Sequence, residues 1–118
     1  VIVCGHYGCG GVKGALSNNS MGIMDNWLRN IKDVYRFNKE ELNAIQDNSK
    51  KLNRLVELNI IEQVKNLAKT PIIQKSWKET NGPQLHGWVY DLKDGIINPL
   101  KTIKPFDTLD DDIYRVKF

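Results

Sequence analysis

Long apolar runs are missing from this chain. Nothing in it approaches the ~20 consecutive apolar residues that a bilayer-spanning helix needs, so no membrane partner is expected. Cysteine is scarce too, with only Cys4 and Cys9, which excludes a disulfide-stapled scaffold. The few residues of strand and turn between them do not let their Cβ atoms converge for a bridge. Free thiols of this kind belong to a reducing compartment, and a cytoplasmic location is expected. An excess of one charge is absent as well: 17 basic residues stand against 14 acidic ones. The densest basic cluster, Lys50, Lys51 and Arg54, is offset by Asp110, Asp111 and Asp112. Nucleic-acid binders gather positive charge on one face with aromatics interleaved, and no such partner is expected. Neither an internal repeat nor a low-complexity tract is present. What remains is an apolar fraction of 41% and a charged fraction of 26%, the balance of a globular domain.

The chain opens directly inside an apolar strand pattern, Val1-Ile2-Val3-Cys4-Gly5, with no Met before it. The expectation is that a longer protein precedes Val1. Residues 1–5 read as a fully buried strand of a parallel sheet. A turn at 6–11 feeds a short helix that fades near Ser17. Apolar residues at helical spacing predict helices over 23–36, 39–45 and 51–68, and Pro71 opens another that ends near Glu79. Asn59 and Glu62 form a candidate capping pair, yet the unbroken stripe favours one long helix through them. Residues 85–92 read as a strand with His86, Trp88 and Tyr90 on one face. Lys93-Asp94-Gly95 is a hairpin turn signal, and Ile96-Ile97 starts the returning strand. This order predicts an α/β sheet with a long right-handed helical crossover. One crossover cannot cover both faces of a sheet, so further strands are expected.

The chemistry concentrates in His6-Tyr7-Gly8-Cys9-Gly10-Gly11-Val12. An imidazole and a thiol stand three residues apart on a glycine-rich turn at the carboxyl end of a strand, where open α/β sheets build their sites. Both are good zinc ligands. Taken alone, a histidine at a strand end is more often hydrogen-bonded structure than a ligand. Cys4 and His6 share one strand face, so a self-contained structural zinc on Cys4, His6, Cys9 and His86 is one reading. Cys4 as buried core filler is the other. The glycines also suggest a phosphate cradle before a helix. However, Lys13 sits where G-x-G-x-x-G counted from Gly8 needs its third glycine, and no G-x-x-x-x-G-K-[S/T] is present. Trp27 and Trp88 fall on apolar stripes and read as packing residues.

The His6–Val12 turn closely resembles the zinc-binding turn of the β-class carbonic anhydrases. Further segments match in the same order: Asn26-Trp27-Leu28-Arg29-Asn30-Ile31, Asn59-Ile60-Ile61-Glu62-Gln63-Val64 with Asn66-Leu67, and His86-Gly87-Trp88-Val89-Tyr90-Asp91. The resemblance covers nearly the whole chain and is weakest over 38–51 and the last fifteen residues. It implies a three-layer α/β fold with a mostly parallel central sheet and helical crossovers. Residues 1–118 would be the C-terminal part of a single such domain, an incomplete part of the fold.

The resemblance implies one Zn2+ per subunit, with His6 and Cys9 as two of its three protein ligands. The third ligand would come from an upstream Cys-x-Asp-x-Arg motif, which this sequence does not contain. That motif also carries the Asp–Arg pair, so no further catalytic side chain is expected here. The implied reaction is reversible hydration of carbon dioxide to bicarbonate and a proton, and the segment alone is expected to be inactive. Related enzymes on the same fold hydrolyse carbon disulfide or carbonyl sulfide. Gly10 and Gly11 would leave room for carbon dioxide and offer backbone donors. Tyr90 falls at the tyrosine position of a second, inhibitory bicarbonate site found in some members; its other reading is a locally satisfied strand aromatic. A homodimer or homotetramer is expected by the same resemblance.

Overall fold

The longest apolar stripe builds the longest element, a 21-residue helix that organises everything else. The computed structural model describes residues 1–107 and 109–118. In chain order it contains β1 (Ile2–His6), α1 (Gly10–Leu16), α2 (Asp25–Phe37), α3 (Lys39–Asn43), α4 (Asn48–Ala68), α5 (Pro71–Thr80), β2 (Leu85–Asp91) and β3 (Ile96–Ile103). Two short 3-10 turns, Gly22–Met24 and Asp112–Tyr114, flank α2 and close the tail.

Helix α4 begins three residues earlier than its apolar stripe predicts, because Asp47 caps it. The Asp47 carboxylate accepts from the Lys50 N–H at 2.9 Å, satisfying one orphan donor of the first turn. The helix then runs unbroken through Asn59, as the continuous stripe predicts. Helix α5 starts at Pro71, whose missing N–H costs nothing at a first-turn position, and ends at Asn81 in the left-handed region (φ 57°). In α2, Leu28, Ile31 and Val34 form the buried stripe. At its N-terminus the Asp25 carboxylate accepts from Ser20 Oγ (2.7 Å) and the Met21 N–H (2.8 Å). These bonds hold the Asp25 carboxyl below the usual carboxylate range.

The three strands form one sheet in the order β1-β2-β3. β1 pairs parallel with β2, placing Ile2 opposite His86 and His6 opposite Tyr90. β2 pairs antiparallel with β3, with an irregularity between Gly87 and Trp88. The architecture is the expected α/β one, and within these residues the sheet is mixed. Helix α4 packs across all three strands. Its Val56, Ile60 and Val64 sit four residues apart, on one face, and all are buried. Two glycines let it come close. A Cβ on Gly5 would lie 2.7 Å from Ile60 Cδ1, and one on Gly87 would lie 2.8 Å from Val64 Cγ2. Leu55, Leu58 and Ala68 of α4 join Leu28, Ile31 and Val34 of α2 in the same core.

The opposite face of the sheet carries Ile2, Cys4 and His6 beside His86, Trp88 and Tyr90. Here the expectation of a fully buried first strand fails. Ile2 is 51% exposed and Cys4 is exposed as well, because among the described residues no helix covers this face. Among the described residues Cys4 is therefore not packed as core filler.

The tail returns to the helices through one buried amide. Gln74, on α5, donates from Nε2 to the carbonyls of Ala68 (3.3 Å), Lys69 (3.1 Å) and Tyr114 (2.9 Å). Its Oε1 accepts from the Val116 N–H at 2.8 Å. Lys69 also lies 4.6 Å from the centroid of the Tyr114 ring.

Two outcomes follow from this packing. Gly87→Ala should lower stability by about 1–3 kcal/mol, since neither β-branched Val64 nor its neighbour Ile60 can swing aside; a lower urea midpoint with unchanged slope is the readout. Gln74→Leu should release the tail, seen as faster amide exchange at Val116 and a stability loss of about 1–3 kcal/mol. Wild-type exchange at Val116 in that variant would refute the tether.

Candidate metal centre

Strand β1 ends at His6, and the chain must reverse at once to start α1 at Gly10. Gly8 makes the reversal with φ at +69°, a conformation that L side chains resist. Cys9 sits at the helix N-cap position, its carbonyl accepting the Lys13 N–H at 2.9 Å. The turn thus sets His6 and Cys9 on either side of the Tyr7-Gly8 dipeptide. Both cysteines are free thiols, Cys9 partly buried and Cys4 exposed.

The His6 ring has a defined polarity. Its Nδ1 lies 2.9 Å from the Tyr7 carbonyl oxygen. A carbonyl can only accept, so in the neutral ring Nδ1 is the donor and Nε2 keeps its lone pair. This is the tautomer that a metal-ligating imidazole adopts when its other nitrogen is held by backbone.

Space beside Cys9 is uneven. A Cβ built on Gly10 meets nothing within 4 Å. On Gly11 it would touch the Trp27 ring at 3.4 Å and Cys9 Sγ at 3.8 Å. The Trp27 indole therefore borders the turn and stays 54% exposed, rather than filling the core as its place on the stripe suggests.

Helix α4 grips this turn with side chains that sequence reasoning passed over. The Gly8 N–H donates to Asn53 Oδ1 at 3.2 Å. The Tyr7 hydroxyl donates to Glu57 Oε2 in a short hydrogen bond. Arg54 Nη1 donates to the other Glu57 oxygen at 3.1 Å, and Arg54 Nε reaches Glu41 on α3, also at 3.1 Å. The bond to Glu57, reinforced by burial, pushes the Tyr7 phenol up to about 12, so it stays a neutral donor. The available signal was the i,i+4 spacing of Asn53 and Glu57, which puts both on one helix face. Nothing in that spacing says what the face looks at.

The self-contained zinc set of Cys4, His6, Cys9 and His86 does not assemble. His86 pairs with Ile2, four residues along β1 from His6. At a strand rise of ~3.3 Å per residue that is about 13 Å, far beyond a shared metal. His86 instead lies 3.4 Å from Thr102 Oγ1. Among the described residues, no group of three or more His, Cys, Asp or Glu side chains is placed to hold a metal ion. The donors at the turn number two, so a metal there needs a ligand from elsewhere. Tyr90 pairs with His6 on the adjacent strand, and its hydroxyl reaches the hairpin, 3.7 Å from where a Cβ on Gly95 would stand.

Comparison with known proteins identifies the family and the fold. A family model described as carbonic anhydrase matches residues 1–97. A carbonic anhydrase of Emericella nidulans is 51% identical over 100 residues, which is 85% of this chain and 44% of that protein. A β-carbonic anhydrase structure from Aspergillus fumigatus superposes with a TM-score of 0.78 at 34% identity, covering 84% of this chain and 47% of that one. One of two tetrameric β-carbonic anhydrases of Sordaria macrospora gives 0.80 at 36% identity, covering 86% and 52%. The chain belongs to the carbonic anhydrase family, and its fold is that of the β class. It spans about half the length of the relatives it matches.

The His6 tautomer is directly measurable. Long-range proton–nitrogen correlation spectra should show a protonated Nδ1 and an unprotonated Nε2. The reverse assignment would remove the argument for Nε2 as a donor to metal.

Proposed function

We propose that the whole protein containing this chain catalyses the reversible, zinc-dependent hydration of carbon dioxide to bicarbonate and a proton. The observation that carries the reading is the His6 ring, whose Nδ1 is bound by the Tyr7 carbonyl on the same turn as a free Cys9 thiol, within a β-class fold. In this reading His6, through Nε2, and the Cys9 thiolate hold one zinc per subunit. A third ligand, and the Asp–Arg pair that orients the reacting water, come from a Cys-x-Asp-x-Arg segment outside this chain. Zinc bound there supplies Lewis acidity and a nucleophile from water at neutral pH.

The chain's own residues then do the positioning. Gly10 is exposed and places no side chain next to Cys9, leaving that side of the turn open to a small molecule. The Trp27 indole supplies an apolar wall on the Gly11 side, suited to an uncharged gas more than to an ion. Tyr90, beside His6 in the sheet, is the candidate contact for a regulatory bicarbonate. The protein works as a homodimer or homotetramer, a reading supported by the tetrameric relatives from Sordaria macrospora. It resides in the cytoplasm, where Cys4 and Cys9 stay reduced.

The test uses the full-length protein. It should carry about one zinc per subunit and hydrate carbon dioxide in a stopped-flow assay, with carbon disulfide and carbonyl sulfide turned over poorly. His6→Ala and Cys9→Ser should each lose the metal and fall to background, whereas Cys4→Ser should keep both metal and activity. Full activity in a zinc-free preparation, or retention of zinc by both ligand variants, would overturn the proposal.

A further inference from the structure

The dipeptide between the two proposed ligands is held at four of its polar groups. The Tyr7 N–H donates to the Tyr90 carbonyl at 3.1 Å, tying the turn to β2. The Tyr7 carbonyl accepts from His6 Nδ1 at 2.9 Å. The Tyr7 hydroxyl donates to Glu57, and the Gly8 N–H donates to Asn53 at 3.2 Å. The last two partners both stand on α4, one helical turn apart. Glu57 is itself fixed by Arg54 at 3.1 Å, and Arg54 by Glu41, whose Oε1 lies 3.0 Å from Arg54 Nη2.

Geometry makes Tyr7 a pivot. Its main-chain oxygen sets the plane and tautomer of the His6 ring, while its side chain is anchored on α4 some fifty residues away. If the Tyr7 phenol loses Glu57, the peptide group that orients His6 can rock about the left-handed Gly8. Side-chain exposure favours Glu57 as the anchor: it is 21% exposed, against 36% for Arg54 and 48% for Glu41. Outer partners of metal-ligating histidines commonly carry 10–100-fold in metal affinity.

We propose that Glu57 and Tyr7 form a positioning relay from α4 to the His6 imidazole, with Asn53 fixing the neighbouring Gly8, so that α4 sets the aim of a zinc ligand it never touches. The proposal rests on the reading of His6 and Cys9 as zinc ligands. Glu57 and Tyr7 are positioning residues here.

The test uses full-length zinc-loaded protein and compares Tyr7→Phe, Glu57→Ala, Glu57→Gln and the Tyr7→Phe/Glu57→Ala double variant. Zinc affinity is read by competition with a chelator, and ligand geometry by the d–d absorption of the cobalt(II)-substituted protein. Tyr7→Phe and Glu57→Ala should each weaken zinc by about tenfold or more and shift the cobalt bands. The double variant should be no worse than either single one, since both cut the same relay. Glu57→Gln, whose amide oxygen still accepts from the phenol, should stay near wild type.

Wild-type zinc affinity and cobalt spectrum in folded Tyr7→Phe would overturn the relay. So would weakened zinc with an unchanged cobalt spectrum, which assigns a purely structural role. Should Glu57→Ala fail to fold, Tyr7→Phe decides alone, because it removes a single oxygen. The His6→Ala and Cys9→Ser variants separate the two readings. If they retain zinc, the ligand assignment fails; if they lose zinc while Tyr7→Phe behaves as wild type, only the relay fails.

Discussion

The close seating of α4 on the sheet is the constraint from which the rest of the molecule follows. Two strand glycines, Gly5 and Gly87, leave no Cβ between the backbone and the Val56, Ile60 and Val64 face of the helix. Any larger residue would force the helix outward at both strands. Burying that face, at roughly 1.5–3 kcal/mol for each large aliphatic side chain, is what holds the layers together. Because the contact is tight, the N-terminal half of α4 is carried to a fixed place beside the end of β1. Asn53 and Glu57 therefore meet the Tyr7-Gly8 turn.

Ion pairs contribute little by comparison. Asp110 bridges Lys65 at 3.6 Å and Lys69 at 3.8 Å, but its own side chain is 51% exposed, and such pairs give on the order of 0–1 kcal/mol. The Gln74 amide differs because it is buried and answers three carbonyls and one N–H. Leaving those groups unpaired costs more than any surface pair returns. The same logic separates the two cysteines. Cys9 is partly buried where the turn meets α1, whereas Cys4 lies on the sheet face that no described helix covers.

Much of the fold was legible because period and punctuation agreed. The apolar stripes located α2 and α4, Pro71 marked the start of α5, and Lys93-Asp94-Gly95 marked the hairpin. Boundaries moved where a cap competed with the stripe, as Asp47 did at the start of α4. Burial was misread where it depended on layers rather than on residue type. Ile2 and Cys4 have the character of core residues, yet stand at an uncovered face. Trp27 lies on a helical stripe but is turned toward Gly11 and Cys9, since Leu28, Ile31 and Val34 already fill the buried side of α2.

At the site, the residue types and their spacing stated the donor pair, and the ordered motifs stated the family. His6 and Cys9 are three residues apart, so their placement on one turn is local and readable from the chain. The distance between His6 and His86 is different: strand register sets it, and only the assembled sheet shows that the two are too far apart to share a metal. The same holds for Tyr7 and Glu57, some fifty residues apart. Sequence by itself determined the elements, the turn and its candidate ligands, because those depend on neighbours within a few residues. Tertiary structure alone decided which face of α4 meets the turn and which strand face stays bare, because packing between distant segments fixes both.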